Sequence, residues 1–503
     1  MEISVIQEAK DKLKEVFNRS PFYLFEHIFV VISLIRYSQG LLEIILMNGA
    51  SEGDGSDVLS FDYKLSVAIY FLNYVITGVL LLLRWRRVVS ALMVAPAVTL
   101  LIAIVPLSFL WSIEPSKTLS ASIAMIGTLQ FGLYIAIRYT LRDQVRIMAV
   151  MFAISMFFCF IYGIFLRKYG VMAGAHPGKW RGIYTHKNQM GKMMALSSGL
   201  SILIGMTEPQ KRHRRLGWIG LFVALVLIQL SQSKSPIINI FLITLVSNIS
   251  QILLLSNKWL TRALIWLTVL GVNLNLYWDD IVVNVLGALG KDATLTGRTD
   301  VWEFVIDRIK DRPWLGHGFG TFWNGLNGPS AYVVRSVRWD VPDAHNGFLD
   351  LCIDLGLVGL ALYAFILFQT LIKTLTLIRV TRRREYMWAL IFIVYSLIAN
   401  LSESSLLFRN SLPPVVLTAV SVSIAIEYHK EFKMPRSSSA TEDSIEQPID
   451  DPLDRIDRSD DPSTIPNLAS DASGGLSAIA QPFAPSPMDR PGELPPQADS
   501  SPG

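Results

Sequence analysis

The sequence predicts an all-α fold, a polytopic transmembrane helical bundle, on three observations: composition, the length of its apolar runs, and the placement of its charges. Of the 503 residues 51% are hydrophobic and only 17% charged, with a mean hydropathy of +0.41. A soluble globular chain carries about a quarter charged residues. Apolar runs of about twenty residues, the length that crosses a bilayer as a helix, recur along the chain. Short basic connections follow every second run, the pattern expected of cytoplasmic loops.

In order, the runs lie near 25–47, 65–83, 88–110, 120–138, 147–166 and 188–206, then 217–233, 236–255, 263–279, 347–372, 386–404 and 411–427, about twelve spans. The basic connections carry Arg84, Arg86 and Arg87; Arg138, Arg142 and Arg146; Lys211, Arg212, Arg214 and Arg215; Lys258 and Arg262; and Arg379, Arg382, Arg383 and Arg384. The positive-inside rule places them, and both termini, in the cytoplasm. The first external loop, with Glu52, Asp54, Asp57 and Asp62, is acidic.

Residues 1–20 mix acids and bases with apolar residues at helical spacing, which predicts an amphipathic cytoplasmic N-terminus in place of a cleaved signal peptide. From about residue 433 to 503 the chain turns to Ser, Pro, Asp and Ala, a composition that cannot offset the entropy of ordering and predicts a disordered cytoplasmic tail. Cys159 and Cys352 both sit in or beside apolar runs, which suggests neither a disulfide framework nor a zinc site.

Two outer loops depart from the charge rule. One, between the fifth and sixth spans, carries Arg167, Lys168, Lys179, Arg181, His186 and Lys187. The other, about 280–346, carries Lys291, Arg298, Arg308, Lys310, Arg312, Arg335 and Arg338, and a connection this long is uncommon unless it folds or works. Within it Leu295 to Ile309 suits an external helix, capped by Thr296 or Thr299, with Val301, Phe304, Val305 and Ile309 as its apolar stripe and Pro313 as its stop. Cations at the outer headgroup level suit phosphate, which Arg grips through a planar fork. A diphosphate-linked lipid fits that description.

Three stretches are distinctive: Arg181-Gly-Ile-Tyr-Thr-His-Lys-Asn-Gln-Met-Gly191; Thr296-Gly-Arg-Thr-Asp-Val-Trp302 with Arg312-Pro-Trp-Leu-Gly-His-Gly-Phe-Gly320; and Asp343-Ala-His-Asn-Gly-Phe-Leu-Asp350, leading into Leu355-Gly-Leu-Val-Gly359. Together, in this order and membrane context, they resemble the O-antigen ligase and polysaccharide polymerase family, especially its exopolysaccharide-production branch. Asn400-Leu-Ser-Glu-Ser404 resembles a fourth family stretch. The resemblance covers about 60–425, within an O-antigen ligase-like domain set at 21–430.

The resemblance implies a metal-independent, inverting glycosyltransferase with no cofactor. Its donor would be an oligosaccharide on undecaprenyl diphosphate, and its acceptor a glycan or lipid-linked hydroxyl on the outer face of a bacterial inner membrane. By analogy it implies a flippase and a chain-length regulator as partners, and no nucleic acid. Arg181 and Arg298 match the family positions that stabilise charge on the leaving diphosphate, and His345 the loop histidine whose pKa class suits proton removal. Lys187, Asn188, His186, Arg312, Asn346 and Glu403 complete the predicted substrate-binding set.

Other readings are weaker. Gly316, Gly318 and Gly320 lack the preceding strand and following acid of a nucleotide loop. Asp279 and Asp280 diverge as neighbours and lack a third metal ligand at helical spacing. Glu26, Glu43 and Glu403 are costly in lipid, though pairing with Arg36 or snorkelling would account for the first two. The alternative from another class is a membrane transporter, for example of inorganic carbon. Transporters place their sites on broken helices at the bilayer midplane, whereas the distinctive residues here cluster in outer loops.

Overall fold

The computed structural model of the chain describes residues 21–46, 64–173, 176–233, 235–252, 298–339, 341–401 and 403–432. Among these residues the secondary structure is helical, apart from one isolated bridge between Val171 and Trp180. The predicted all-α membrane bundle is the observed fold. The N-terminal segment, the 263–279 run, Asp279, Asp280 and the tail from 433 lie outside the described residues.

The helices are α1 (Pro21–Tyr37), α2 (Leu42–Leu46), α3 (Lys64–Leu82), α4 (Trp85–Val94), α5 (Pro96–Leu107), α6 (Pro115–Arg138), α7 (Leu141–Ile164), the single turn α8 (Arg167–Gly170), α9 (Lys187–Thr207), α10 (Lys211–Ser231), α11 (Ser235–Ile252), α12 (Arg298–Asp311), α13 (Ala331–Val337), α14 (Gly347–Thr381), α15 (Met387–Ala399) and α16 (Leu412–Phe432). Seven of these described helices, α3, α6, α7, α9, α10, α14 and α16, are long and apolar enough to cross a membrane. The pair of α4 with the segment Pro96–Leu110, bent by 101° at Ala95, raises the number to eight.

Of the twelve runs in the sequence, the 263–279 run lies outside the described residues, and two others are interrupted locally. The 25–47 run divides between α1 and α2 because the chain reverses at Gln39 and Leu41, both at positive φ. The 386–404 run stops at Ala399 because Asn400 turns away from the helix to dock on Gly347. A hydropathy window counts such residues as spanning although their backbone bonds go elsewhere.

α9 and α16 are the most enclosed of these spans, while α3 and α10 are the least. Small residues admit the close packing. A side-chain carbon on Gly217 of α10 would lie 2.7 Å from the Gly205 nitrogen of α9, and one on Gly199 would lie 2.6 Å from Ile391 of α15.

The charged residues divide the bundle into two ends. At one end the buried Glu26 carboxylate accepts from Arg84 at 2.7 Å, Arg138 at 2.9 Å and Tyr134 at 2.9 Å. Glu208 likewise accepts from Arg146 at 2.6 Å and Arg142 at 3.1 Å, and Arg384 donates to the Met206 carbonyl at 3.5 Å. The basic connections after α3, α6, α9 and α14 therefore gather at one end. Glu43 pairs with Arg36 at 2.6 Å, as expected; Glu26 instead finds its cations on α6 and beside α3. A buried carboxylate has to be paired, and two arginines and a phenol share the task.

At the other end residues 298–346 form a cap with its own small core. Val301 and Val305 of α12 are fully buried with Phe322, Val333, Val341, Ala344 and Ile353, while Phe304 and Ile309 pack alongside. This is the predicted stripe. Thr299 lies inside the first turn of α12, so it does not cap it, and Thr296 lies outside the described residues.

The cap is joined to the bundle through a break in α14. Gly356 takes φ 67°, ψ −169°, interrupting the helical bonds. The Leu357 and Val358 amides then donate to the Pro313 and Trp314 carbonyls at 2.8 and 3.2 Å. The Ile353 and Asp354 carbonyls accept from the His317 and Gly318 amides at 2.8 and 3.1 Å. Two amides and two carbonyls beside the break thus find partners in the segment 313–318, as a low-dielectric setting favours. A side chain at 356 would collide with the backbone of Trp314 as well as strain φ. Gly356→Ala is accordingly expected to lower the thermal midpoint of the protein in nanodiscs, since the left-handed φ alone costs roughly 1–3 kcal/mol. An unchanged midpoint would show that the cap docks without the break.

Candidate functional site

The site is built where the cap meets the ends of α9, α14 and α15. His345 lies in the turn before α14 with φ 48°, an uncommon conformation for a residue with a side chain. Asp343 holds it there. One carboxylate oxygen, Oδ1, accepts from the His345 amide at 2.7 Å and lies 3.2 Å from its Nδ1. A carboxylate beside Nδ1 favours the tautomer protonated there, which leaves Nε2 as the basic nitrogen. Both side chains are partly exposed, so the imidazole is open to a ligand.

Asp350, one turn into α14, braces this loop. Its Oδ1 accepts from the Ala344 amide at 3.1 Å and from the Trp323 indole at 2.7 Å, and its Oδ2 accepts from Ser404. Asn346 caps α14, its Oδ1 accepting from the Phe348 and Leu349 amides at 3.0 and 3.3 Å. The Gly347 amide donates to the Asn400 and Glu403 carbonyls at 3.0 and 3.1 Å, and a side chain on Gly347 would strike Asn400. The third and fourth distinctive stretches are therefore bonded to each other.

Glu403 faces α9. Its carboxylate accepts from Asn188 Nδ2 at 3.3 Å and pairs with Lys192 Nζ at 3.2 Å. Asn188 Oδ1 in turn accepts from Lys187 Nζ at 3.1 Å and from Ser233 at 3.0 Å. His186 caps α9, its Nδ1 accepting from the Asn188 amide at 3.2 Å, and its ring meets His176 edge to face at 5.6 Å. Burial, with Lys187, His176 and Lys192 nearby, pushes the His186 pKa down to about 4 despite the opposing pull of Glu403. Four of the predicted residues, His186, Lys187, Asn188 and Glu403, are thus brought into one polar cluster.

Arg181 is fully buried. Its guanidinium donates to the carbonyls of Tyr169 at 2.8 Å, Thr185 at 3.3 Å and Lys168 at 3.3 Å, so it closes the loop that presents His186 and Lys187. Arg298 begins α12 at the cap. Arg312 donates to the Trp111 carbonyl at 3.2 Å, while the Trp111 indole donates to the Leu315 carbonyl at 2.7 Å, tying the cap to the start of α6. His317 is buried, with Nδ1 3.3 Å from the Ile353 carbonyl, and its pKa is lowered chiefly by burial.

Sequence reasoning missed Lys192, Asp343, Asp350 and Ser404 as members of the site. Lys192 was legible as the residue four beyond Asn188 on one helical face, and Asp343 as an Asx-turn residue two before the histidine. Nothing in the sequence announced that Ser404 would meet Asp350.

Residues 191–364, from α9 into α14, match the O-antigen ligase family. The chain is also 24% identical over 271 residues to the exopolysaccharide production protein ExoQ of Rhizobium meliloti (strain 1021), an alignment covering 52% of this chain and 61% of that protein. The chain is thus similar to O-antigen ligases over residues 191–364 and to a protein of exopolysaccharide production over about half its length. The matched family segment contains the cap, Lys192, Asp343, His345 and Asp350; Arg181, Lys187, Asn188 and Glu403 lie outside it.

The neutral His186 carries a stability signature. Its folded pKa lies below the unfolded value of 6.5, so the unfolded state binds more protons between pH 4 and 6.5 and stability rises with pH across that window. His186→Asn, which keeps a capping acceptor, is expected to flatten the pH dependence of the thermal midpoint there. An unchanged slope would assign the titration to another group.

Proposed function

We propose that the protein is a membrane enzyme of polysaccharide synthesis, a glycosyltransferase that moves a glycan from a lipid diphosphate to an acceptor hydroxyl, with polymerisation of lipid-linked repeats as the first reading. The observation that carries this is the His345–Asp343 pair, held open in the cap at the end of the bundle remote from the basic connections. The positive-inside rule assigns those connections and both termini to the cytoplasm, which would turn the cap outward from a bacterial inner membrane. The chain spans about 61% of the length of the curated relative it matches, a protein of exopolysaccharide production.

In this reading His345 Nε2 takes the proton of the acceptor hydroxyl as its oxygen bonds to the anomeric carbon. The bond from that carbon to the diphosphate breaks, with inversion, and the lipid diphosphate leaves with the electron pair. Asp343 keeps the imidazole oriented. Arg298, Arg312, Lys187 and Lys192 supply positive charge for the leaving group, most effective where water is excluded. Arg181 acts through the loop it closes, and Asn188 and Glu403 hold Lys187 and Lys192 in place. No metal is needed for this charge stabilisation.

The test is purified protein in nanodiscs with a lipid-diphosphate-linked oligosaccharide extracted from the source cells, reading glycan length and released lipid diphosphate. The native chain is expected to release lipid diphosphate and lengthen or transfer the glycan. His345→Ala should lower turnover by about 10²–10⁴-fold, and Arg298→Ala should also lose turnover. Asp343→Asn should reduce kcat more than it raises KM. Solute flux without glycan transfer would replace this reading with transport.

A further inference from the structure

We propose that Trp339 is a sugar-binding platform, the subsite on which a pyranose ring of the acceptor glycan stacks beside His345; this rests on the transferase reading above. Trp339 follows Arg338, whose left-handed backbone, φ 62°, ends α13. The residues around it behave differently: Val337 packs against the core of the cap and Val341 is buried within it, whereas Trp339 stays outside and is 45% exposed. Its indole lies nearly parallel to the His345 imidazole, 15° between planes and 6.2 Å between centroids. An indole buries 150–250 Å² when enclosed, so one left half open keeps on the order of 100 Å² of apolar face for a ligand.

The indole is stacked with the imidazole to which proton removal is assigned. A pyranose presents apolar C–H groups on its flat faces and hydroxyls around its rim. Laid on the indole, it keeps its hydroxyls in water or within reach of the imidazole. Asp343 holds the His345 amide and lies beside Nδ1, so the ring stacked with the indole is held in place. Trp314, also exposed, lies at the α14 break instead.

The experiment compares Trp339→Phe, Trp339→Leu and Trp339→Ala in nanodiscs with the native protein, by acceptor KM, kcat and pH–rate profile. Binding of the oligosaccharide released by mild acid from the source cells' lipid-linked pool is followed in parallel by saturation-transfer NMR. Stacking predicts that Phe stays near native, while Leu and Ala raise acceptor KM about 5- to 50-fold, the range seen for aromatic stacking of other flat ligands. The pH profile should not move, and oligosaccharide binding should persist in Phe and vanish in Leu. A Leu variant that binds as the native protein does would overturn the platform. So would a shifted pH profile at unchanged KM, which would make Trp339 a support for the imidazole. The binding arm reports on Trp339 even without turnover, whereas retained turnover in His345→Ala would defeat the base assignment alone.

Discussion

A helix that breaks among apolar neighbours must have its freed amides and carbonyls answered from within the protein, and the rest of this structure follows from how α14 meets that requirement at Gly356. Residues 313–318 supply both the acceptors and the donors, pinning the cap to the bundle at a single level. The remaining contacts of the cap are consequences. The His317 carbonyl accepts from Ile113, Trp302 donates to Ala344, and Trp323 reaches Asp350 a turn above the break. The histidine turn is thereby held between a docked cap and a rigid helix, which is how His345 is kept in a backbone conformation it would not choose alone.

The two ends of the bundle use charge differently. At one end Glu26 and Glu208 draw arginines from separate connections into tight groups. At the other the carboxylates are used to orient: Asp343 an imidazole, Asp350 a loop, Glu403 an ammonium and an amide. Asp350 and Glu403 reach groups on other segments, so the site comes together only after the cap, α9 and the turn after α15 have all been placed. A catalytic constellation needs such surrounding support to hold its geometry.

Much of this was legible in the sequence. Runs of apolar residues gave the spans, the stripe Val301, Phe304, Val305 and Ile309 gave the helix of the cap, and the distinctive stretches gave most of the residues that line the site. Run length did not show where a helix is interrupted, because hydropathy does not register where a backbone bonds to a neighbour, as at Asn400. The use of Arg181 was equally hidden. A guanidinium reads the same whether it faces a phosphate or three carbonyls, and only the fold decides. The glycines at 316 and 356 were visible, but their purpose, close approach of two backbones, depends on residues some forty positions apart.

The central claim is that the His345 end of the bundle faces away from the cytoplasm, because the donor, the base and the cap all depend on that side. Both native cysteines are buried, so an introduced thiol on the cap can be read against a quiet background. Labelling Pro342→Cys with a membrane-impermeant maleimide, in spheroplasts and in inverted vesicles, decides the matter. The account predicts labelling in spheroplasts and protection in inverted vesicles. The reverse pattern would place the site in the cytoplasm and contradict the outward-facing transferase.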